Sequence, residues 1–122
     1  MPEKIETLFR HICDITPVST SHRVGEKRVI VTQETVGKPI TQIARTKLNE
    51  GEHVEEHVHP TMDEHFFFLS GECAVVLEGT EYICRSDDYL FVPAGCNHRI
   101  EITKETVMIT IGIETCSKSI SE

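Results

Sequence analysis

From Gly25 onward, the chain is built of short runs in which side chains alternate between apolar and polar, rich in Val, Ile, Thr, Phe and Tyr. Turn-forming residues separate these runs, for example at 37–39, 49–51, 78–79 and 93–95. A period of two with this composition predicts β-strands. The predicted strands cover residues 27–32, 40–48, 53–59, 64–69, 73–77, 80–84, 89–92, 98–103 and 106–112. Many short strands with no helical pattern between them predict an all-β sandwich or barrel.

The N-terminal segment has a helical period instead. Pro2 suits a first helical position, and apolar residues recur at i, i+3, i+4 and i+7: Ile5, Leu8, Phe9 and Ile12. This pattern predicts a short helix over residues 2–13. We therefore predict an N-terminal helix and loop at residues 1–24, a single barrel at 25–113 and a polar tail at 114–122.

Composition narrows the set of possible binding partners and cellular locations. The length of 122 residues suits one domain, and the net charge of −8 works against nucleic acid or an anionic membrane as partner. The N-terminus lacks the apolar core of a signal peptide, and no apolar run is long enough to span a bilayer. Five irregularly spaced cysteines predict free thiols in a reducing compartment. We expect a cytoplasmic protein with no membrane partner.

Three potential metal ligands lie close together in one stretch of the chain. His57 and His59 are two residues apart, so they point the same way on a strand. Glu64 follows a short turn at Pro60, and a hairpin would fold its carboxylate back beside the imidazoles. Two neutral imidazoles and a carboxylate are typical of a divalent-metal site. His98, after the turn at residues 93–95, offers a fourth ligand.

The spacing of these residues resembles the two motifs of the cupin family. The first motif is matched at every position, by Gly51, His57, His59, Glu64 and Gly71. The second is matched at three positions and departs at two: Pro93, Gly95 and His98 match, whereas Asp87 replaces a glycine and Ile102 an asparagine. The departures put a turn and a supporting contact in doubt rather than the ligand. The resemblance spans roughly residues 40 to 112.

The resemblance implies a cupin-type double-stranded jelly-roll β-barrel that holds one divalent transition metal per chain. His57, His59, Glu64 and His98 would be the ligands, and the ion would be Fe, Mn, Ni, Cu or Zn, since ligand type does not choose among them. A cupin barrel that has lost its metal is the alternative, and the intact ligand set argues against it.

Strand parity predicts what surrounds the ion. Phe66 and Phe68 share a face with Glu64, and Ile100 shares one with His98, so the pocket should be mostly apolar. His53 has the parity of His57 and is the only nearby candidate for a general base. Cys96 is either a small turn residue, which we favour, or a further soft ligand. Possible substrate contacts whose faces the sequence leaves open are Gln42, Arg45 and Tyr89.

Two classes of function fit these residues. Four protein ligands leave one or two positions open, which favours a metal-dependent enzyme of the dioxygenase, isomerase or lyase type acting on a small oxygen-rich molecule such as a sugar derivative. The alternative is a non-catalytic, metal-dependent sugar-binding module, because the fold hosts both classes and no general base is evident. The run from Phe66 to Leu69 is apolar on both faces, which predicts a homodimer.

Overall fold

The computed structural model describes residues 8–37 and 39–115 and confirms an all-β architecture. Its strands all pair antiparallel. They are β1 (Val18–Ser19), β2 (Glu26–Thr32), β3 (Ile40–Leu48), β4 (His53–His57), β5 (Met62–Leu77), β6 (Thr80–Arg85), β7 (Tyr89–Val92) and β8 (His98–Glu114). A four-residue helix, α1 (Gln33–Val36), follows β2.

Two long strands, β5 and β8, run through the whole sheet and pair with each other. Beyond this shared pair, β8 also pairs with β3 and β4, while β5 also pairs with β6 and β7. The sequence predicted each long strand as two shorter ones. The break predicted at Ser70–Gly71 is instead a set of register shifts in a continuous strand, where Gly71 has a φ of +94°. A β-bulge of this kind bends a strand without ending it.

The strands enclose one apolar core. Phe66 and Phe68 face it from β5, and Ile100 and Ile102 face it from β8, as their alternation predicts. Leu48, Val54, Cys84 and Val92 add a side chain each from β3, β4, β6 and β7. Strands on both sides of the β5–β8 pair contribute side chains to this core. The core therefore lies inside the curled sheet rather than on one side of it.

The predicted N-terminal helix is wrong for the residues that the structure describes. Only Ile12–Asp14 forms a single 3₁₀ turn, whereas Leu8 and Phe9 are 44% and 83% exposed. A helix this short is marginal in water unless its apolar stripe is buried, and Leu8 and Phe9 are not buried in the core. Pro2 and Ile5 lie outside the described residues.

The C-terminal strand extends past its predicted end. β8 continues to Glu114, and the Thr115 amide donates to the Thr61 carbonyl at 2.9 Å. Residues 116–122, most of the predicted tail, lie outside the described part of the chain.

Cys13, Cys73, Cys84 and Cys96 are free thiols, as expected, and Cys116 is outside the described residues. Among the described residues, no helix has the length and apolar character needed to cross a membrane.

The bend at Gly71 generates a prediction about stability. A Cβ at this position would lie 2.6 Å from Thr106 Cα and closer still to the Glu105 carbonyl oxygen. Gly71→Ala should therefore add an overpacking cost of about 1–3 kcal/mol to the roughly 1–2 kcal/mol of left-handed backbone strain. The free energy of unfolding, measured by urea titration, checks this.

Gly79→Ala is the matched control. Gly79 also has a positive φ, of +83°, but beyond its chain neighbours no atom of the described residues would lie within 4 Å of an added Cβ there. It should incur the backbone strain alone. Equal losses of stability in the two variants would contradict the close approach at Gly71.

Candidate metal centre

Three imidazoles meet at one end of the barrel. His57 ends β4 and is paired across the ladder with His98, the first residue of β8. His59 lies two residues beyond His57, in the loop that leads to β5. One nitrogen from each of the three rings lies within 4.8 Å of the other two. His98 is buried, whereas His57 and His59 are half-buried, so the cluster opens towards one side.

The Glu64 carboxylate completes the cluster, but by a different route from the one predicted. β4 pairs with β8 rather than forming a hairpin with β5, and Glu64 is paired with Val92 and Gly112. Its carboxylate therefore approaches the imidazoles from the other half of the barrel. Glu64 Oε1 lies 3.5 Å from His59 Nε2 and 3.6 Å from His98 Nε2.

These distances fit a shared ion better than direct hydrogen bonds. At 3.5–3.6 Å the contacts are longer than ordinary N–H···O bonds. Two ligands each about 2.1 Å from one ion at a tetrahedral angle would be roughly 3.4 Å apart. In addition, His98 Nε2 is fully buried and has no hydrogen-bond partner among the residues that the structure describes. A buried polar nitrogen without a partner is costly, and coordination of an ion would satisfy it.

Backbone carbonyls orient two of the rings. His57 Nδ1 lies 2.8 Å from the Glu55 carbonyl oxygen, and His98 Nδ1 lies 3.1 Å from that of Cys96. Because a carbonyl only accepts, each Nδ1 carries the proton and each Nε2 presents its lone pair to the cluster. Cys96 thus acts through its main chain, and its thiol does not line the cavity described below.

The two oriented imidazoles differ in proton affinity. Burial is the main cause that lowers the pKa of His57, and the neighbouring histidines lower it further. Burial also opposes protonation of His98, but the Glu64 carboxylate and the Cys96 carbonyl together outweigh it and raise the pKa of His98. A cation is therefore electrostatically favoured beside Glu64, and a bound ion would take the place of the second proton that His98 would otherwise gain at Nε2.

The cluster forms the floor of a cavity of about 320 Å³, at the lower end of the range for small-molecule sites. Part of its lining is apolar: Leu48, Val54, Phe66, Ile100 and Met108. The rest of the lining includes hydroxyls, an amide and basic side chains: Thr20, Ser21, His22, Lys27, Thr41, Gln42, Thr46 and Thr110. Phe66 and Ile100 thus line the cavity, as strand parity predicted.

Two of the predicted pocket residues lie elsewhere. Phe68 is buried in the core beneath Phe66, with the two rings edge to face at 6.1 Å. His53 is exposed at the start of β4, and Val54 lines the cavity in its place. A register shift between Val54 and His57 breaks the alternation on which the prediction for His53 depended.

One histidine of the site was not predicted from the sequence at all. His22 lies in the loop between β1 and β2, and its ring centroid is 4.4 Å from that of His57. Partial desolvation is the main cause that lowers its pKa, and the nearby His59 lowers it further. No spacing in the sequence relates residue 22 to residue 57, so only the folded loop shows their proximity.

Hydrogen bonds hold this loop over the cavity. Thr20 Oγ1 donates to the Val24 carbonyl at 2.5 Å, and the Gly25 amide donates to Glu52 Oε2 at 3.3 Å. The Arg28 guanidinium, on β2, donates to the carbonyls of Cys13 and Ile15, which lie earlier in the N-terminal segment. The N-terminal segment is therefore fastened to the barrel and forms part of the wall.

The three residues whose faces the sequence left open separate into two groups. Gln42 faces the cavity, where its side-chain oxygen accepts a hydrogen bond from Lys27 Nζ at 3.1 Å. Arg45 and Tyr89 do not line the cavity. Tyr89 instead shares a 2.6 Å hydrogen bond with His65 Nδ1 on the outer face of β5 and β7.

The part of the chain that forms most of the barrel and holds the histidine cluster matches a known sequence family. The sequence model of the cupin domain matches residues 44–113, more than half of the chain. The chain belongs to the cupin family. The matched segment contains all four candidate ligands of this cupin. His22, Lys27 and Gln42 precede it.

Two Streptomyces proteins are similar in sequence to this cupin. The tetracenomycin polyketide synthase protein TcmJ of Streptomyces glaucescens is 35% identical over 88 residues, which cover 71% of this chain and 59% of TcmJ. The polyketide synthase CurC of Streptomyces cyaneus is 31% identical over 77 residues, which cover 63% of this chain and 50% of CurC. The matches therefore span between half and three fifths of the length of these relatives.

A solved structure shows the same fold. The structure of a predicted oxalate decarboxylase from Thermotoga maritima superposes with a TM-score of 0.79, covering 88% of this chain and 99% of that one, at 23% identity. At this identity the likeness concerns the fold alone. It confirms the double-stranded jelly roll that the two motifs implied.

The centre generates a prediction about metal affinity. His98→Ala should weaken binding of a divalent ion such as Zn²⁺ by at least about 100-fold, because it removes the buried ligand and leaves Glu64 with fewer partners. Competition with a chromogenic chelator measures the affinity. His53→Ala, which removes an exposed imidazole from the same region, should bind like the unaltered protein. Unchanged affinity in His98→Ala would contradict this ligand set.

Proposed function

We propose that this cupin is a metal-dependent enzyme that acts on a small oxygen-rich molecule. The observation that carries the proposal is the position of the four candidate ligands, His57, His59, Glu64 and His98, on the floor of a cavity open on one side. Structural metal sites are closed by protein ligands, whereas catalytic sites keep a position for water or substrate. We further propose that one Fe, Mn, Ni, Cu or Zn ion binds per chain.

The cavity walls suit a substrate that chelates through oxygen. A bound divalent ion would polarise a carbonyl or hydroxyl group of the substrate. Phe66 and Ile100 would cover the apolar part of that molecule and keep water away, which strengthens electrostatic interactions in the site. Elsewhere in the lining, the Gln42 amide and the hydroxyls of Thr41 and Thr110 offer hydrogen bonds to its remaining oxygens.

The relatives narrow the proposed substrate class. TcmJ and CurC are polyketide synthase proteins, and polyketides are rich in closely spaced carbonyl and hydroxyl groups. Two oxygens on nearby carbons can chelate one ion, and the apolar side chains of the lining would accommodate the carbon skeleton between them. We therefore propose a β-diketone or a hydroxylated aromatic acid as substrate ahead of a sugar derivative. We also propose that the protein is cytoplasmic and has no nucleic acid or membrane partner.

Turnover by metal-loaded protein tests the function. Protein purified without added metal should contain a divalent transition metal by elemental analysis. After chelation and reloading with each candidate metal, it should turn over at least one compound in a panel of diketones, hydroxy acids and sugars, followed by product analysis and oxygen consumption. His98→Ala should abolish turnover and His53→Ala should retain it.

The outcomes separate enzyme from binding module. Turnover that requires the metal would support the proposal. Tight binding of a panel compound without turnover under every metal would overturn it in favour of a metal-dependent binding module.

We also propose that the protein is a homodimer. On the outer face of β5 and β7, four large side chains are each 40% to 49% exposed: Phe67, Leu69, Tyr89 and Phe91. The rings pack side by side, with Phe67 and Tyr89 at 5.1 Å and His65 and Phe91 at 5.0 Å. Contiguous apolar surface of this kind is typical of subunit contacts, and stable dimers bury on the order of 2,000 Å² or more.

Light scattering at micromolar concentration should give the mass of a dimer. Phe67→Glu should give a monomer, because it places a charge at the centre of the apolar face. Tyr82→Glu is the matched control, since Tyr82 is an aromatic of similar exposure on β6, away from that face. A monomer mass for the unaltered protein would refute the proposal.

A further inference from the structure

Lys27 is a basic side chain inside the cavity that the candidate metal centre does not use. It lies on β2 directly opposite the buried Thr46 of β3, and both residues line the cavity. Its Nζ donates to Gln42 Oε1 at 3.1 Å, which is a neutral partner. No carboxylate of the described residues forms an ion pair with it.

The missing counter-ion is informative because acidic residues are abundant in this chain. There are 20 aspartates and glutamates against 12 lysines and arginines. Lys47, on the neighbouring strand but outside the cavity, has such a partner in Glu105 at 3.7 Å. A half-buried ammonium group without a carboxylate is costly to maintain, and a ligand that brings an anion would offset that cost.

The rest of the cavity leaves this positive charge uncompensated. Among the described residues that line it, Glu64 is the only acid, and its carboxylate faces the imidazoles of His59 and His98. Once the four proposed ligands hold a divalent ion, the cavity is cationic although the chain has a net charge of −8. Fields of this sign concentrate anions in a cleft.

We propose that Lys27 is a specificity-determining residue that binds an anionic oxygen group, a carboxylate or an ionised enol, of an otherwise apolar substrate. The proposal rests on the proposed function and narrows its substrate class. Gln42 holds the ammonium group through the 3.1 Å hydrogen bond, while the apolar side chains of Phe66 and Ile100 receive the carbon skeleton. The substrate is thus held at two points, by the metal centre and by Lys27.

Binding of matched anionic and neutral probes tests the assignment. Calorimetry with 2-naphthoate, 2-naphthamide and benzoylacetone is run on zinc-loaded and metal-free protein. Lys27→Gln should weaken the binding of naphthoate or benzoylacetone by about tenfold or more and leave the binding of naphthamide unchanged. Lys27→Arg should retain most of the affinity, because it keeps the charge. Lys47→Gln, which removes an exposed lysine, should match the unaltered protein.

Each outcome has one meaning. If Lys27→Gln loses affinity for naphthoate alone, the anion is a carboxylate. If it loses affinity for benzoylacetone alone, the anion is an enolate. Equal effects on naphthamide and the anions, or no binding of either anion to the unaltered protein, would overturn the proposal. Zinc content is measured in every sample, so failure of the metal centre would appear separately, and the Lys27 comparison would still be made on metal-free protein.

Discussion

The site depends on the way the paired strands β5 and β8 bend. Glu64 lies near one end of this ladder, opposite Gly112, and His98 lies at the other end, opposite Leu77. In a flat sheet the two positions would be roughly 43 Å apart, at about 3.3 Å per residue. In the folded chain their side chains are 3.6 Å apart. The register shifts around Gly71 allow this bend, so Gly71 contributes to the site by bringing its candidate ligands together.

The alternation and spacing of residues predicted those features of the structure that depend on neighbouring residues in the sequence. The period of two placed Phe66, Ile100 and Ile102 on inner faces correctly, and ligand spacing pointed to side chains that do converge. The pattern failed where a shift of one residue matters, as at β4, where a bulge turns His53 outward and Val54 inward. It also gave the wrong route for Glu64, because strand partners are set by the whole barrel rather than by the nearest turn. The helical period near the N-terminus was misleading for a similar reason: a pattern is not a helix unless something covers it.

Part of the cavity lining comes from outside the segment that matches the cupin domain. The candidate ligands all lie within residues 44–113, whereas His22, Lys27 and Gln42 precede them. Residues 22 and 27 have no fixed spacing from the candidate ligands in the sequence, which explains why His22 and Lys27 were missed. The candidate ligands can hold an ion, and the residues that precede them can select what reaches it. Chains that share the ligands need not share these residues.

The carbonyl contacts of His57 and His98 have a consequence for mutational tolerance. Each ring is oriented by the main-chain oxygen two residues before it, at Glu55 and Cys96, rather than by a partner side chain. Every amino acid supplies that oxygen, so the side chains at 55 and 96 are free to change without misdirecting the imidazoles. Ring orientation here comes from the main chain of β4 and of the loop before β8, so the centre tolerates substitution at the positions that support it.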